Sequence, residues 1–272
     1  MSTTPELPNH TEPEEDPGAR MSFFEHLVDL RKRLVNSLIG IGVGMLVGLL
    51  VSKRAINYIV IPMRDALRAN GLADNVYYTS PQGFVGLYIN LGLYLGIALA
   101  MPFVLYQIWL FVAPGLYRHE RKAVTSFIVS STMLFLCGIS FGYFILLPQV
   151  LKFLVGFANE GPIKPLISIN EYFELILVVL VGLGVVFELP VLIFILSFFG
   201  IVTPKFLWKN FRYAMLVITV VAAIVTPTPD ATTMILFMSP MVLLYFVGLL
   251  VSYLVVRKKK QQELARAGIQ QT

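Results

Sequence analysis

The sequence predicts an all-α integral membrane protein with six transmembrane helices, and three observations predict it. Hydrophobic residues make up 57% of the 272 positions and charged residues only 14%, too little polar surface for a soluble globule of that length. The mean hydropathy of +0.76 is concentrated in six apolar runs divided by polar, Pro- and Gly-bearing connections. The net charge of +5 comes from Lys and Arg clustered between those runs and not spread over one face, which suits orientation in a bilayer better than contact with nucleic acid. No nucleic-acid partner is expected.

The chain divides into an acidic tail (1–20), a membrane domain (21–256) and a basic tail (257–272). The first tail is rich in Pro and nearly free of large apolar side chains, so it is expected to be disordered. It also lacks the basic start and apolar centre of a secretory signal. From residue 21 the pattern FFEHLVDLRKRL places Phe23, Phe24, Leu27, Leu30 and Leu34 at helical spacing, an amphipathic helix expected to lie on the membrane surface before the chain enters lipid. Ser22 and Glu25 stand at capping-box spacing.

The first span, 34–52, carries Gly40, Gly44 and Gly48, a groove for close contact with a helix of the same chain. Residues 53–83 form a connection long enough to fold into a cap of short helices. The second span, about 84–109, repeats the small-residue spacing at Gly92 and Gly96, should kink at Pro102, and holds a polar Gln107 near its end. The third, 123–147, starts with Ser126, Ser130, Ser131 and Thr132, hydroxyls that can bond the preceding turn and need no other partner; Pro148 is expected to close it. After a connection at 149–170 comes the fourth span, 171–200, interrupted at Glu188 and Pro190. The last two spans are short or kinked. The fifth, 213–226, has 14 residues and rises only about 21 Å, and the sixth, 231–256, contains Pro240 and is expected to be capped by Asp230.

With six spans both termini share a side, and that side carries 15 of the 21 Lys and Arg. By the positive-inside tendency the N and C termini are cytoplasmic. The transition at YQIWLFVAPGLYRHERK, residues 106–122, fits this: Trp109, Phe111 and Tyr117 suit the headgroup layer, and cations follow at once.

Two constellations could carry function. Glu188, ionised near the bilayer centre, would cost about 3 kcal/mol, so it should face a bundle interior or a wet cavity, with Gln107 as a candidate partner. At the cytoplasmic rim, Asp29 and Glu120 could bind a dibasic ligand, because carboxylate–guanidinium pairs can be bidentate and select Arg. Solvated ion pairs would leave the same letters. Catalysis finds little support: His10, His26 and His119 all lie outside the spans, Cys137 is alone, and no HExxH, GxSxG or phosphate-cradling loop is present. No metal or cofactor is expected.

HLVDLRKRL, YQIWLFVAPGLYRHERK, FELPV and TPTPD, in this order, resemble the TatC family, the multispanning component of the twin-arginine protein translocase, over about 23–256. The resemblance implies a receptor in the bacterial or archaeal cytoplasmic membrane. Such a receptor binds twin-arginine signal peptides and recruits single-span TatA- and TatB-type partners. It exports folded proteins on the proton-motive force, and more than one copy can sit in the complex. It implies signal-binding roles for Asp29, Glu120, Arg31 and Phe111, an intramembrane acid at Glu188, and structural roles for Pro62, Phe84 and Asp230. Asp29 stands where many members have Glu, Met234 where Gln is frequent, and Phe246 where Glu is common. The rivals are a secondary transporter of a small solute or proton with Glu188 as coupling group, which predicts an internal repeat that the six unequal runs do not show, and a structural scaffold that binds no signal peptide.

Overall fold

The computed structural model describes residues 23–78, 82–112, 121–160, 166–226 and 230–269. The acidic tail and the proposed Ser22 cap lie outside the described residues. The described residues form ten α-helices: α1 (Phe23–Ile59), α2 (Ile61–Ala69), α3 (Gly83–Val112), α4 (Arg121–Phe141), α5 (Leu147–Asn159), α6 (Ile169–Val186), α7 (Leu189–Phe198), α8 (Pro204–Lys209), α9 (Phe211–Val225) and α10 (Ala231–Ile269). Among the described residues, five helical stretches are long and apolar enough to cross a membrane, and α9 is a shorter apolar helix of 15 residues. The protein is therefore an all-α membrane protein with five to six spans.

Two expectations change. The surface helix and first span are one uninterrupted 37-residue helix, about 55 Å long, because nothing in FFEHLVDLRKRL breaks the hydrogen-bond ladder between them. Pro148 does not close the third span. The π-helical turn Gly142–Leu146 widens the helix just before it, and Leu147 N–H reaches back to the Gly142 carbonyl. A proline ring would clash with the carbonyl four residues earlier in a regular α-helix, and the wider turn lets α5 continue. The last helix, α10, runs on through the basic stretch to Ile269.

The glycine spacing does what its period predicts. A Cβ at Gly44 would strike the Gly96 carbonyl, one at Gly48 the Gly92 carbonyl, and one at Gly96 the backbone of Met45, so α1 and α3 pack backbone to backbone along this seam. The expected break at Glu188 is present: α6 ends at Val186, and α7 restarts with Pro190 in its first turn, where the missing N–H is not needed.

One end of the molecule is a cap. Pro62, in the first turn of α2, is buried there, and the helix stops at Gly71, whose φ of 69° lets Leu72 N–H bond the Leu67 carbonyl. Chain 72–78 then leads to a two-bond pairing: Tyr77 N–H donates to the Ile167 carbonyl, and Ile169 N–H donates to the Tyr77 carbonyl. Asn70 donates to the carbonyls of Ala66 and Lys152, Asn159 donates to Asn70, and the Tyr143 and Tyr172 hydroxyls donate to the Tyr58 and Ile59 carbonyls. Phe84 packs edge-on against Tyr78 and Tyr88, with centroids 5.3 and 4.7 Å away. A buried cluster that includes Leu67, Leu91, Leu151 and Ile176 fills the space beneath. A second cluster, with Leu183, Phe187, Phe237 and Met241 among its members, joins α6, α7, α9 and α10.

Candidate functional site

At the end opposite the cap, the last turns of α3 organise two polar groupings. Gln107 and Phe111 are four residues apart and share one face of α3, whereas Trp109 points to the other side. The first face meets α1 and the second meets α4.

On the α1 side, Arg33 Nε lies 3.2 Å from Asp29 Oδ1, an i,i+4 ion pair in which the aspartate side chain is only 15% exposed. Arg33 also donates through Nη1 to Gln107 Oε1 at 3.4 Å. Among the described residues, Asp29 Oδ2 is buried and has no hydrogen-bond partner. One turn before Asp29, the His26 ring stacks on Phe111 with centroids 4.3 Å apart and planes 21° from parallel. Arg31 is exposed on the same helix. Asp29, Arg31 and Phe111 therefore occupy one end of the molecule. Glu120 lies outside the described residues.

On the α4 side, Trp109 Nε1 donates to Ser131 Oγ at 3.2 Å, and Ser131 Oγ donates to Glu188 Oε2. Glu188 occupies the break between α6 and α7 with helical φ and ψ, and its carbonyl accepts from Leu192. Its other carboxyl oxygen, Oε1, is buried without a partner among the described residues. The expected partner Gln107 is thus not the partner of Glu188. The helical phase of α3 turns residue 107 toward α1, where Arg33 takes it. The serine read as self-sufficient is the true partner, because its hydroxyl faces α6 across the tight α4 contact made by Gly138 against Leu183 and Phe187.

The remaining assigned positions lie elsewhere. Asp230 caps α10 as its spacing predicts, accepting from Thr233 N–H and Thr233 Oγ1 at 2.7 Å each. It belongs with Pro62 and Phe84 among residues that shape backbone, not with the polar end.

Arg33, His26, Trp109 and Ser131 were not singled out as site residues by sequence reasoning. The i,i+4 spacing of Asp29 and Arg33 is a signal that could have found the ion pair. The Ser131–Glu188 contact spans 57 positions and leaves no local trace. Chemically, the α1 side can hold a guanidinium, and the α4 side can offer a half-satisfied carboxyl within an apolar wall.

A family model described as Sec-independent protein translocase protein (TatC) matches residues 25–240. The Sec-independent protein translocase protein TatC of Koribacter versatilis is 41% identical over 252 residues, covering 91% of this chain and 92% of that one. TatCy of Bacillus subtilis is 35% identical over 246 residues, covering 90% and 94%. A crystal structure described as the twin arginine translocase receptor TatC superposes with a TM-score of 0.76 at 31% identity, covering 85% of this chain and 99% of that one.

Proposed function

Since the chain belongs to the TatC family, we propose how its geometry performs the receptor's work. The protein is the receptor and core subunit of the twin-arginine translocase, a multi-pass membrane protein that binds twin-arginine signal peptides and exports folded proteins using the proton-motive force. It acts by recognition and not as an enzyme. Its N and C termini face the cytoplasm and it resides in the inner membrane, a reading supported by the uneven distribution of Lys and Arg. TatA- and TatB-type single-span proteins complete the machine.

The observation that carries the binding mode is the state of Asp29. This carboxylate already holds a guanidinium through Oδ1 at 3.2 Å, and its Oδ2 has no partner among the described residues. An Asp here, though one methylene shorter than Glu, therefore reaches a guanidinium. One arginine of the signal pairs with Oδ2. The second pairs with Glu120, which directly precedes Arg121, the first residue of α4. Phe111, held by His26, supplies a flat apolar neighbour for the residues between or after the arginines. Glu188 and its wall receive the apolar part of the signal.

A photo-crosslinker at position 120, presented with signal peptides bearing Arg-Arg and then Lys-Lys, tests this. Crosslinking should fall sharply with Lys-Lys, since an ammonium cannot make the bidentate pair. Asp29→Asn should weaken binding of the Arg-Arg peptide by about 1.5–3 kcal/mol, and Glu120→Lys should abolish export of a twin-arginine reporter while the protein stays in the membrane. Crosslinking indifferent to the substitution would remove both acids from recognition. The small-solute transporter alternative is not favoured, because the family and the solved structure agree on translocation.

A further inference from the structure

A groove of about 520 Å³ lies between α8 and the middle of α10, far in sequence from both acids. Phe246, Leu250 and Tyr253 of α10 form one wall, and Trp208 with Lys205 and Lys209 of α8 forms the other. Trp208 is 67% exposed, so its ring is held at the mouth and not packed into the core. Lys205 and Lys209 are four residues apart and share one face of α8.

The groove is held open by bonds that fix α8. Thr203 caps it by accepting from Phe206 N–H, Asn210 donates back to the Phe206 carbonyl, and Tyr245 Oη donates to the Leu207 carbonyl at 2.8 Å. Behind it α10 cannot shift, because Ser197 donates to Ser252 at 2.7 Å and Gly248 lies directly against Ile193. The shape therefore exists before any ligand arrives.

We propose that this groove binds one anionic phospholipid, with an acyl chain along Phe246 and Leu250 and the phosphate between Lys205 and Lys209. Three features select that occupant. Charge complementarity is one: both charged side chains lining the groove are cations, and an anionic headgroup gains from each. Depth is the second: Tyr253 lies one turn before the basic run that begins at Arg257, and Trp208 and Tyr253 are ring types that favour the headgroup layer. Length is the third. From Phe246 to Tyr253 the wall rises only about 10 Å, enough for a headgroup and upper chain but a third of what a crossing partner helix would cover. The bound lipid would tie α8 to α10 and hold the connection between α7 and α9 in place.

Trp208 supplies the readout. The chain has two tryptophans, and Trp109 is buried, so a Trp208→Phe control isolates the groove signal. The full-length protein is placed in nanodiscs of phosphatidylcholine carrying a small fraction of chain-brominated phosphatidylglycerol, or the same fraction of chain-brominated phosphatidylcholine. Brominated phosphatidylglycerol should quench Trp208 with an apparent affinity at least about fivefold higher, the factor expected for one lysine near an anionic surface. Lys205→Gln with Lys209→Gln, and separately Phe246→Glu, should erase the preference. Because the lysines are exposed, the first variant keeps the fold. Equal quenching by the two lipids, a preference that survives removal of both lysines, or Trp208 shielded from both lipids by a protein helix would overturn the proposal.

Discussion

The two ends of this molecule use hydrogen bonds in opposite ways. At the cap, side chains from the end of α2, the π turn, α5 and α6 bond the backbones of distant elements: Asn70, Asn159, Tyr143 and Tyr172 each donate to a carbonyl of another element. Asn170 Oδ1 is the exception there. At the other end the polar groups form short chains, Asp29–Arg33–Gln107 and Trp109–Ser131–Glu188, and each chain ends on a buried carboxyl oxygen with no partner among the described residues. A saturated end resists change. An end with spare acceptors keeps capacity for an incoming donor, as a receptor for arginine requires.

Breaking the seam that joins the ends should erase the contrast. Gly48→Leu drives a side chain into the Gly92 carbonyl and Gly96 backbone. Backbone cannot swing aside, so the cost should exceed the about 1–3 kcal/mol usual for overpacking. The expected result is a large loss of folded protein by size-exclusion profile, with no signal-peptide binding in what remains. Gly42→Leu, where a Cβ meets nothing within 4 Å, should be nearly silent and serves as the control.

Ser131→Ala sharpens the comparison from the receptor end. It takes the serine hydroxyl away from Glu188 Oε2 and from the Trp109 N–H, and the loss should be about 1–3 kcal/mol, read as a lower midpoint of thermal unfolding in detergent. Ser131→Thr, which keeps the hydroxyl, should recover much of it. Tyr172→Phe is the matching change at the cap. It removes one hydroxyl from the Ile59 carbonyl and should cost about 1 kcal/mol. Signal-peptide affinity should stay unchanged there, because the cap contributes no group to the binding end.

How far these features were legible depends on how local their causes are. The α1–α3 seam could be read from the recurrence of Gly40, Gly44 and Gly48, because one helix's own period creates the groove. The Asp230 cap and the break at Glu188–Pro190 were likewise legible, since each follows from a residue and its near neighbours. The partner of Glu188 was not. It depends on which way α4 is rotated against α6, and a 3.6-residue period fixes a face without saying which helix meets it. Gln107 was misassigned for the same reason: apolar residues surround α3 on all sides, so its sequence did not distinguish the α1 face from the α4 face. Pro148 misled because the rule that proline ends a helix assumes an α-turn before it, and the π turn at 142–146 removes the clash. Of the two acids proposed to bind the signal, Asp29 was found on an element whose helical reading held, but its engagement by Arg33 required only i,i+4 spacing and could have been stated.

The smallest expected effect tests the charged tie between α2 and the 72–78 segment of the cap. Arg68 donates to Asp74 Oδ2 through both Nε and Nη2, and this pairing holds the Asp74 carboxyl below its ordinary range. A carboxyl depressed in the folded state stabilises it above the unfolded value, and that contribution fades as pH falls through the folded value. The window therefore lies at and below about pH 4. The pair is solvent-facing and screened by salt, so its loss should loosen only the segment that leads to Tyr77. Hydrogen exchange at the Tyr77 and Ile169 amides, which form the cap's backbone pairing, should quicken relative to other cap amides between pH 5 and pH 3 in wild type. In Asp74→Asn that relative change should vanish. If the variant kept it, the pairing would be governed by the apolar contacts beneath it, and the cap would owe nothing to charge.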